Sequence, residues 1–295
     1  MRQGRTMIAI NWGTSNFRAY KVDAAGNVEA ARSSVRGAVS IQPGKFLETL
    51  LTEVGDWIGA GESRVLMCGM VGARNGWKEA PYVSVPAKRE QIVGAVIRVD
   101  AGGLDARIVP GLKGVDANGI PEVMRGEETE LLGSECAQAT HVCLPGTHTK
   151  WVRMEGATIS SFSTSMTGDL YKAIRESTIL RASTQNEPTD MDGFAAGVAR
   201  SQQEGELAHH LFGVRTLVLT GGLKEDSASS YLSGLLIGHE VKGMAVEGKQ
   251  VHLIGDSTLC AWYREALHAY GAQATVEPEG AALRGLLLVA EALAW

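Results

Sequence analysis

Two stretches decide the fold: residues 7–23, MIAINWGTSNFRAYKVD, and residues 141–163, HVCLPGTHTKWVRMEGATISSFS. In the first, an apolar run ends at Trp12, a polar turn follows at Gly13-Thr14-Ser15-Asn16, and a second β-prone run begins at Phe17. Residues 24–27 turn the chain once more, into a third strand near 28–31. The second stretch repeats the move. A strand over 141–145 leads to the turn Gly146-Thr147-His148-Thr149, a strand over 150–154, the turn Glu155-Gly156 and a strand over 157–163. Short β-prone runs bounded by turn residues carry these assignments. Two three-stranded meanders with Gly-Thr at the first turn of each read as a duplicated unit of domain size, not a solenoid repeat.

Outward from these meanders, helix and strand signals alternate. Residues 45–59 place Phe46, Leu47, Leu50, Leu51, Val54, Trp57 and Ile58 at helical spacing. A strand over 64–68 runs into the loop Gly69-Met70-Val71-Gly72. A helix over 88–99 and a strand over 106–109 complete a first α/β half. The second half continues with helices over 168–180 and 193–204, a strand over 215–220 and a helix over 227–242. A strand over 250–254, the turn Gly255-Asp256-Ser257, a helix to 270, a strand over 274–276 and a helix over 280–293 follow. The Gly-rich stretch 111–119 reads as a hinge or loop. It sets lobes of 1–115 and 116–295, with helix 280–293 placed to pack back on the first.

Composition bounds the function. The 295 residues, 44% hydrophobic and 21% charged, suit a globular protein with room for two domains. With a formal net charge of -5 and no basic patch, nucleic acid is not an expected partner. Cys68, Cys136, Cys143 and Cys260 form no C-x-x-C pair, which points to a reduced, cytoplasmic setting over a disulfide or zinc scaffold. Arg2 and Arg5 precede no unbroken apolar core of the signal-peptide kind, and 283–295 is too short to span a bilayer. A homo-oligomer is compatible with the sequence, and nothing in it specifies an interface.

A Gly-Thr turn lets backbone approach a ligand closely and offers successive N–H groups and a hydroxyl to an anion. Two such turns at matching places suit a polyphosphate, whose transfer is catalysed mainly by positioning and charge stabilisation. Taken alone, they fit two ordinary hairpins equally well.

The arrangement resembles the actin/Hsp70/sugar-kinase ATPase superfamily, a two-lobed α/β, ribonuclease H-like fold in which duplicated β-β-β-α units close over ATP. Its first phosphate loop would be Asn11-Trp12-Gly13-Thr14-Ser15, and its second Pro145-Gly146-Thr147-His148-Thr149-Lys150. Its adenosine motif of strand, Gly turn and helix would be Leu253-Ile254-Gly255-Asp256-Ser257-Thr258-Leu259, with Gly221-Gly222 as a competitor. The likeness narrows to the 2-dehydro-3-deoxygalactonokinase family at Arg125-Gly126-Glu127-Glu128-Thr129-Glu130. It holds also at Gly69-Met70-Val71-Gly72 with Gly76-Trp77-Lys78-Glu79-Ala80-Pro81-Tyr82, at Pro145 to Trp151, at Met166-Thr167-Gly168-Asp169-Leu170 and at Tyr231 to Gly238.

That resemblance implies phosphorylation of 2-dehydro-3-deoxy-D-galactonate at its 6-hydroxyl with ATP and Mg²⁺, in galactonate breakdown. Another 2-keto-3-deoxy sugar acid is an alternative substrate, and a nucleotide or sugar-acid sensor an alternative function. An Hsp70-like chaperone role does not fit, since no peptide-binding domain is read. The implied general base is Glu127, with Glu128 as rival and Asp169 as a third candidate. The implied ATP-binding residues are Gly13, Thr14, Ser15, Gly146, Thr147, His148, Lys150, Gly255 and Ser257. The implied substrate residues are Gly72, Arg74, Asn75, Trp77, Tyr82 and Arg125, because a guanidinium matches a carboxylate bidentately. Asn11 departs from the superfamily's Asp, which helps to hold hydrated Mg²⁺. It could still bond a metal-bound water but brings no charge.

Overall fold

The computed structural model describes residues 6–135 and 139–295. The chain divides into two units. Unit 1 comprises Met1–Gln138, Arg153–Phe162 and Gly280–Trp295, and unit 2 comprises Ala139–Val152 and Ser163–Glu279. The strands are β1 (Met7–Trp12), β2 (Phe17–Val22), β3 (Val28–Ser34), β4 (Arg64–Gly69), β5 (Tyr82–Ser84), β6 (Ile97–Val99), β7 (Asp105–Ile108), β8 (Gly111–Val115), β9 (Pro121–Met124), β10 (His141–Leu144), β11 (Thr149–Glu155), β12 (Thr158–Ser165), β13 (Gln250–Leu253) and β14 (Gln273–Val276). The α-helices are α1 (Phe46–Gly59), α2 (Arg89–Gly94), α3 (Glu127–Gly133), α4 (Thr167–Ser177), α5 (Met191–Gln202), α6 (Leu207–Leu219), α7 (Ala228–Gly243), α8 (Ser257–Ala269) and α9 (Ala281–Ala292).

In unit 1 a six-stranded sheet runs in the order β3-β2-β1-β4-β7-β6. β1 and β2 pair antiparallel with Asn11 opposite Arg18, while β1 and β4 pair parallel with Asn11 opposite Cys68. β1 is covered on both faces, so Ile8, Ala9 and Ile10 form a continuous buried run, as central parallel strands do. The core gathers Ile8, Ile10, Trp12, Phe17, Val65 and Met67 with Phe46, Leu50, Val54 and Trp57 of α1. Leu51, expected on that same face, is exposed.

α3 is short and carries its position from α9. A Cβ on Gly133 would collide with the Ala281 carbonyl, and one on Gly285 with the Thr129 carbonyl, so the two helices meet backbone to backbone. Arg284 Nε donates to the Gly133 carbonyl (2.8 Å). α3 ends at Gly133, and Cys136 lies outside the described residues.

The five-stranded sheet runs β12-β11-β10-β13-β14, with β13 parallel to both β10 and β14. In unit 2, α5 and α7 pack through glycines. A side chain at Gly197 or Gly234 would strike the carbonyl of Tyr231 or Phe194. Buried Phe194, Val241, Leu253, Trp262 and Tyr263 form one cluster of unit 2.

Three local expectations change. Residues 88–99 are not one helix: α2 stops at Gly94, and Ile97-Arg98-Val99 pairs antiparallel with β7, where alternation suits an edge strand. Residues 111–119 are not a hinge. β8 and β9 pair antiparallel around a turn in which Asp116 Oδ1 accepts from the Asn118 and Ile120 amides, in a sheet ordered β5-β8-β9. Residues 215–220 are not a strand but the end of α6. Thr216-Leu217-Val218-Leu219 is β-prone, but Leu207, Leu211, Val214 and Val218 recur at helical spacing against one core cluster, and burial of that stripe prevails.

Candidate active site

β1 delivers the first Gly-Thr turn. Trp12 is fully buried and its Nε1–H donates to the Arg36 carbonyl (2.9 Å), which fixes where the strand ends. The Gly13 amide then closes on the Asn16 carbonyl (2.9 Å), and the Ala38 amide donates to the Gly13 carbonyl (2.9 Å). Thr14 and Ser15 are left exposed. Asn11 is half-buried beneath this turn. Gly69 ends β4 beside it, with φ 91° and no room for a side chain against the Trp12 carbonyl. Gly126, with φ 109°, abuts Gly69 in turn. Asn11, Gly69 and the start of α3 are thus neighbours at the carboxyl ends of two parallel strands, where open α/β sheets place their ligands.

Glu127 and Glu128 open α3 and have different surroundings. Glu128 is fully buried. Its Oε2 accepts from the Gly126 amide (2.6 Å) and its Oε1 from the Thr129 hydroxyl (2.9 Å). Burial first, then the neighbouring Glu127 charge, pushes its carboxyl up to about 8. Glu130 is raised to about 7, also by desolvation and then by Glu127. Glu127 is partly exposed and uses Oε2 to accept from the Arg125 amide (3.0 Å). Glu127 keeps contact with solvent, whereas Glu128 is folded back on its own helix N-terminus.

Arg125 is a buried cation. Its guanidinium carbon lies 4.3 Å from the Tyr82 ring centroid and Nη2 donates to the Ala80 carbonyl (2.7 Å). Nε and Nη1 are buried without a hydrogen-bond partner, and Gly72 has no side chain to crowd Nη1. Gly72, Tyr82 and Arg125 therefore come together. Arg74 and Asn75 do not join them: both are exposed, and Arg74 faces Glu79 (3.7 Å). Trp77 stacks on Phe46 (6.3 Å between centroids, 14° between planes) and packs against the unit 1 core.

In unit 2 the second turn meets the start of α4. The Asp169 amide donates to the Thr147 carbonyl (3.1 Å), and His148 Nε2 and Asp169 Oδ2 lie 2.9 Å apart. A Cβ on Gly168 would lie 2.5 Å from the Gly146 carbonyl oxygen, so only glycine allows this approach. Lys150 is buried, and its ammonium turns back to donate to the His148 carbonyl (2.7 Å), bracing the turn. Gly255 follows β13 with φ 148° and sits against the Pro145 carbonyl. Asp256 caps α8 by accepting from the Leu259 amide (3.0 Å), and Ser257 is that helix's first residue. Gly221 and Gly222 instead follow a helix, their amides closing on the Val218 and Leu217 carbonyls as a C-terminal stop.

A cavity of about 320 Å³ opens beside these turns within unit 2. Gly146, Thr147 and Gly168 line it on one side and Asp256 and Thr258 on another, with Leu236, Ile237, Leu259 and Trp262 among its apolar walls. Of these, Trp262, with Tyr171 and Pro188, was not singled out from the sequence. The segment 231–238 stood out as a block, but which of its side chains face a cavity is decided by how α7 packs on α8.

A Gly-Thr turn at the end of a strand in each α/β unit, the second beside a cavity, is what an actin-like ATPase fold provides. At the level of fold, the chain is similar to the activator of 2-hydroxyisocaproyl-CoA dehydratase from Clostridium difficile (TM-score 0.52, 13% identity, 98% of this chain and 96% of that one). The chain belongs to the 2-keto-3-deoxy-galactonokinase family, whose model matches residues 11–289. It is 36% identical to the 2-dehydro-3-deoxygalactonokinase of Escherichia coli (strain K12), over 97% of this chain and 98% of that protein. It is 37% identical to a Rhizobium meliloti (strain 1021) protein assigned the same activity, over 97% of this chain and 96% of that protein. The crystal structure of a Sinorhizobium meliloti protein, also assigned as a 2-dehydro-3-deoxygalactonokinase, superimposes with a TM-score of 0.85 at 35% identity, covering 97% and 99% of the two chains. The protein is a sugar-acid kinase, a phosphotransferase with an alcohol group as acceptor.

Proposed function

We propose that the chain transfers the γ-phosphoryl group of ATP to the 6-hydroxyl of 2-dehydro-3-deoxy-D-galactonate, with Glu127 as general base. The observation that carries this reading is Arg125, buried with two unpaired N–H donors two residues before Glu127. A buried cation left unpaired is costly, and the carboxylate of a sugar acid supplies the missing partner. Gly72 and Tyr82 shape that subsite, and exposed Arg74 and Asn75 stand outside it. Glu127 is exposed enough to take the hydroxyl proton, and the Arg125 amide holds its other oxygen in place. Glu128, folded inward, sets the backbone of Gly126 and so the direction of Glu127.

ATP is assigned to the unit 2 cavity, its base against Leu236, Ile237 and Leu259 and its phosphates toward Gly146, Thr147 and Gly168. His148 and Asp169 form a pair at the rim of that turn, so Asp169 orients His148 rather than acting as the base. Gly13, Thr14 and Ser15 present the other phosphate turn. Among the described residues no group of three or more His, Cys, Asp or Glu is set to hold a metal. Mg²⁺ is commonly carried on nucleotide phosphates and waters with few protein oxygens. Asn11 would meet such a water through its amide oxygen, and the ion would neutralise charge on the transferring phosphoryl group.

A coupled ADP-release assay with ATP, Mg²⁺ and 2-dehydro-3-deoxygalactonate tests the reading. Glu127→Gln is expected to lower kcat by about 10²–10⁴ with the KM values little changed. Arg125→Lys is expected to raise the KM for the sugar acid and leave that for ATP alone. Undiminished turnover in Glu127→Gln would remove the base assignment. Faster turnover with another 2-keto-3-deoxy sugar acid would move the substrate.

A further inference from the structure

The second Gly-Thr turn and the unit 2 cavity share a buried support that the assignments above leave unused. Glu240, on α7, is 9% exposed. Its Oε1 accepts from Trp151 Nε1–H (2.7 Å) and its Oε2 from the Tyr263 hydroxyl (2.9 Å). Tyr263 has one hydroxyl proton, and it is donated to Glu240. The 2.8 Å contact between Tyr263 and Thr149 must then run from the Thr149 hydroxyl to the Tyr263 oxygen. Thr149 is the last residue of the second turn. The order of donation is fixed from the turn, through Tyr263, to a single carboxylate.

The partners come from separate elements. Thr149 and Trp151 belong to β11, Tyr263 to α8 and Glu240 to α7. Thr167 and Tyr263 themselves line the cavity, and Leu236 and Ile237 line it from the turn of α7 before Glu240. We propose that Glu240 is a positioning residue for phosphoryl transfer, holding the second Gly-Thr turn in register with the nucleotide cavity through Tyr263 and Thr149.

The chemistry of the group supports this. A carboxylate accepts several donors at once, which no apolar residue of similar size does. Buried polar groups contribute little net stability over well-packed apolar replacements, so a fully satisfied network of this kind serves to specify geometry. Replacing Glu240 by Gln sets an NH₂ either against the Trp151 N–H, donor against donor, or against the Tyr263 oxygen, which must then accept and turn its own proton to Thr149, reversing the order of donation.

The proposal rests on nucleotide occupying the unit 2 cavity, and the test separates the two ideas. Affinity for a non-hydrolysable ATP analogue is measured by isothermal titration, and KM for ATP and for the sugar acid by ADP release. The proteins are the parent, Glu240→Gln, Tyr263→Phe, their double variant, and Ser233→Trp, which fills the cavity. Thermal unfolding runs in parallel. Glu240→Gln is expected to weaken the analogue about tenfold and raise the KM for ATP while leaving that for the sugar acid unchanged. Tyr263→Phe, which removes one hydroxyl and folds with least disturbance, is expected to move the same parameter, with the double variant short of the sum. If Ser233→Trp abolishes analogue binding while folded Glu240→Gln and Tyr263→Phe bind like the parent, the positioning role is overturned alone. Equal rises in both KM values, tracking a lowered unfolding temperature, also overturn it. If Ser233→Trp binds the analogue normally, the nucleotide assignment fails, and this proposal with it.

Discussion

Glu127 and Glu128 are adjacent in sequence and have different physical tasks, because one side chain keeps contact with water and the other loses it. The consequence is measurable as pH-dependent stability. Glu128 has its carboxyl raised from 4.5 to about 8 by burial and by Glu127, so the folded chain holds a proton that the unfolded chain releases in between. Its contribution is therefore fully present below about pH 4.5 and is lost as pH rises through about 8. Glu130 acts in the same direction up to about 7. Glu128→Gln is expected to flatten the decline in urea-unfolding free energy between about pH 5 and about pH 8.5, by a few kcal/mol at most. An unchanged slope would show that Glu128 ionises freely. Gly168 offers a second test at this scale, since a Cβ there would lie 2.5 Å from the Gly146 carbonyl. Gly168→Val is expected to displace the second turn and weaken ATP-analogue binding more than tenfold with sugar-acid affinity retained, as read by titration of each ligand.

At the scale of elements, the helix that carries the proposed base is too short to hold itself. α3 spans Glu127–Gly133, below the length at which an isolated helix persists, and is held by α9 across the Gly133 and Gly285 contact. Gly285→Val is expected to push the helices apart, destabilise the protein by about 1–3 kcal/mol and lower kcat by moving Glu127. Urea melts and ADP release check the two parts. A loss of stability with full kcat would mean that α3 keeps its place without α9. α6 shows why short apolar runs mislead. Residues 216–219 read as a strand by propensity, yet the stripe from Leu207 to Val218 is longer than any strand signal there and buries as a helix.

At the scale of the whole molecule, each unit has its own core and its own set of candidate ligand groups. Binding should therefore protect different backbone in each. Hydrogen exchange with an ATP analogue is expected to slow amides near Thr147, Gly168, Ile237 and Leu259. With the sugar acid alone, protection is expected near Gly72, Tyr82 and Glu127. The sugar acid slowing exchange around Leu259 and not around Glu127 would reverse the assignment of ligands to units. Among the described residues no helix is long and apolar enough to cross a membrane.

Local chemistry made much of this legible in one dimension. Met7–Trp12 and His141–Leu144 are apolar runs ended by Gly-Thr turns, and the duplicated meanders follow from turn residues that have few alternatives. Gly255 after β13 was equally plain, since strand, glycine and capped helix occur in immediate succession. The residues that escaped were those whose role depends on a distant partner. Leu236, Trp262 and Glu240 look like ordinary helix residues until α7 and α8 pack together. Arg125 shows the same division most clearly. Its place beside Glu127 is written in the sequence, but that two of its nitrogens are buried without a partner depends on Tyr82, Ala80 and Gly72, which only tertiary packing brings to it. Periodicity and turn chemistry act over a few residues and so are read from the chain. Desolvation and hydrogen-bond satisfaction are sums over neighbours far away in sequence, and only the folded structure decides them.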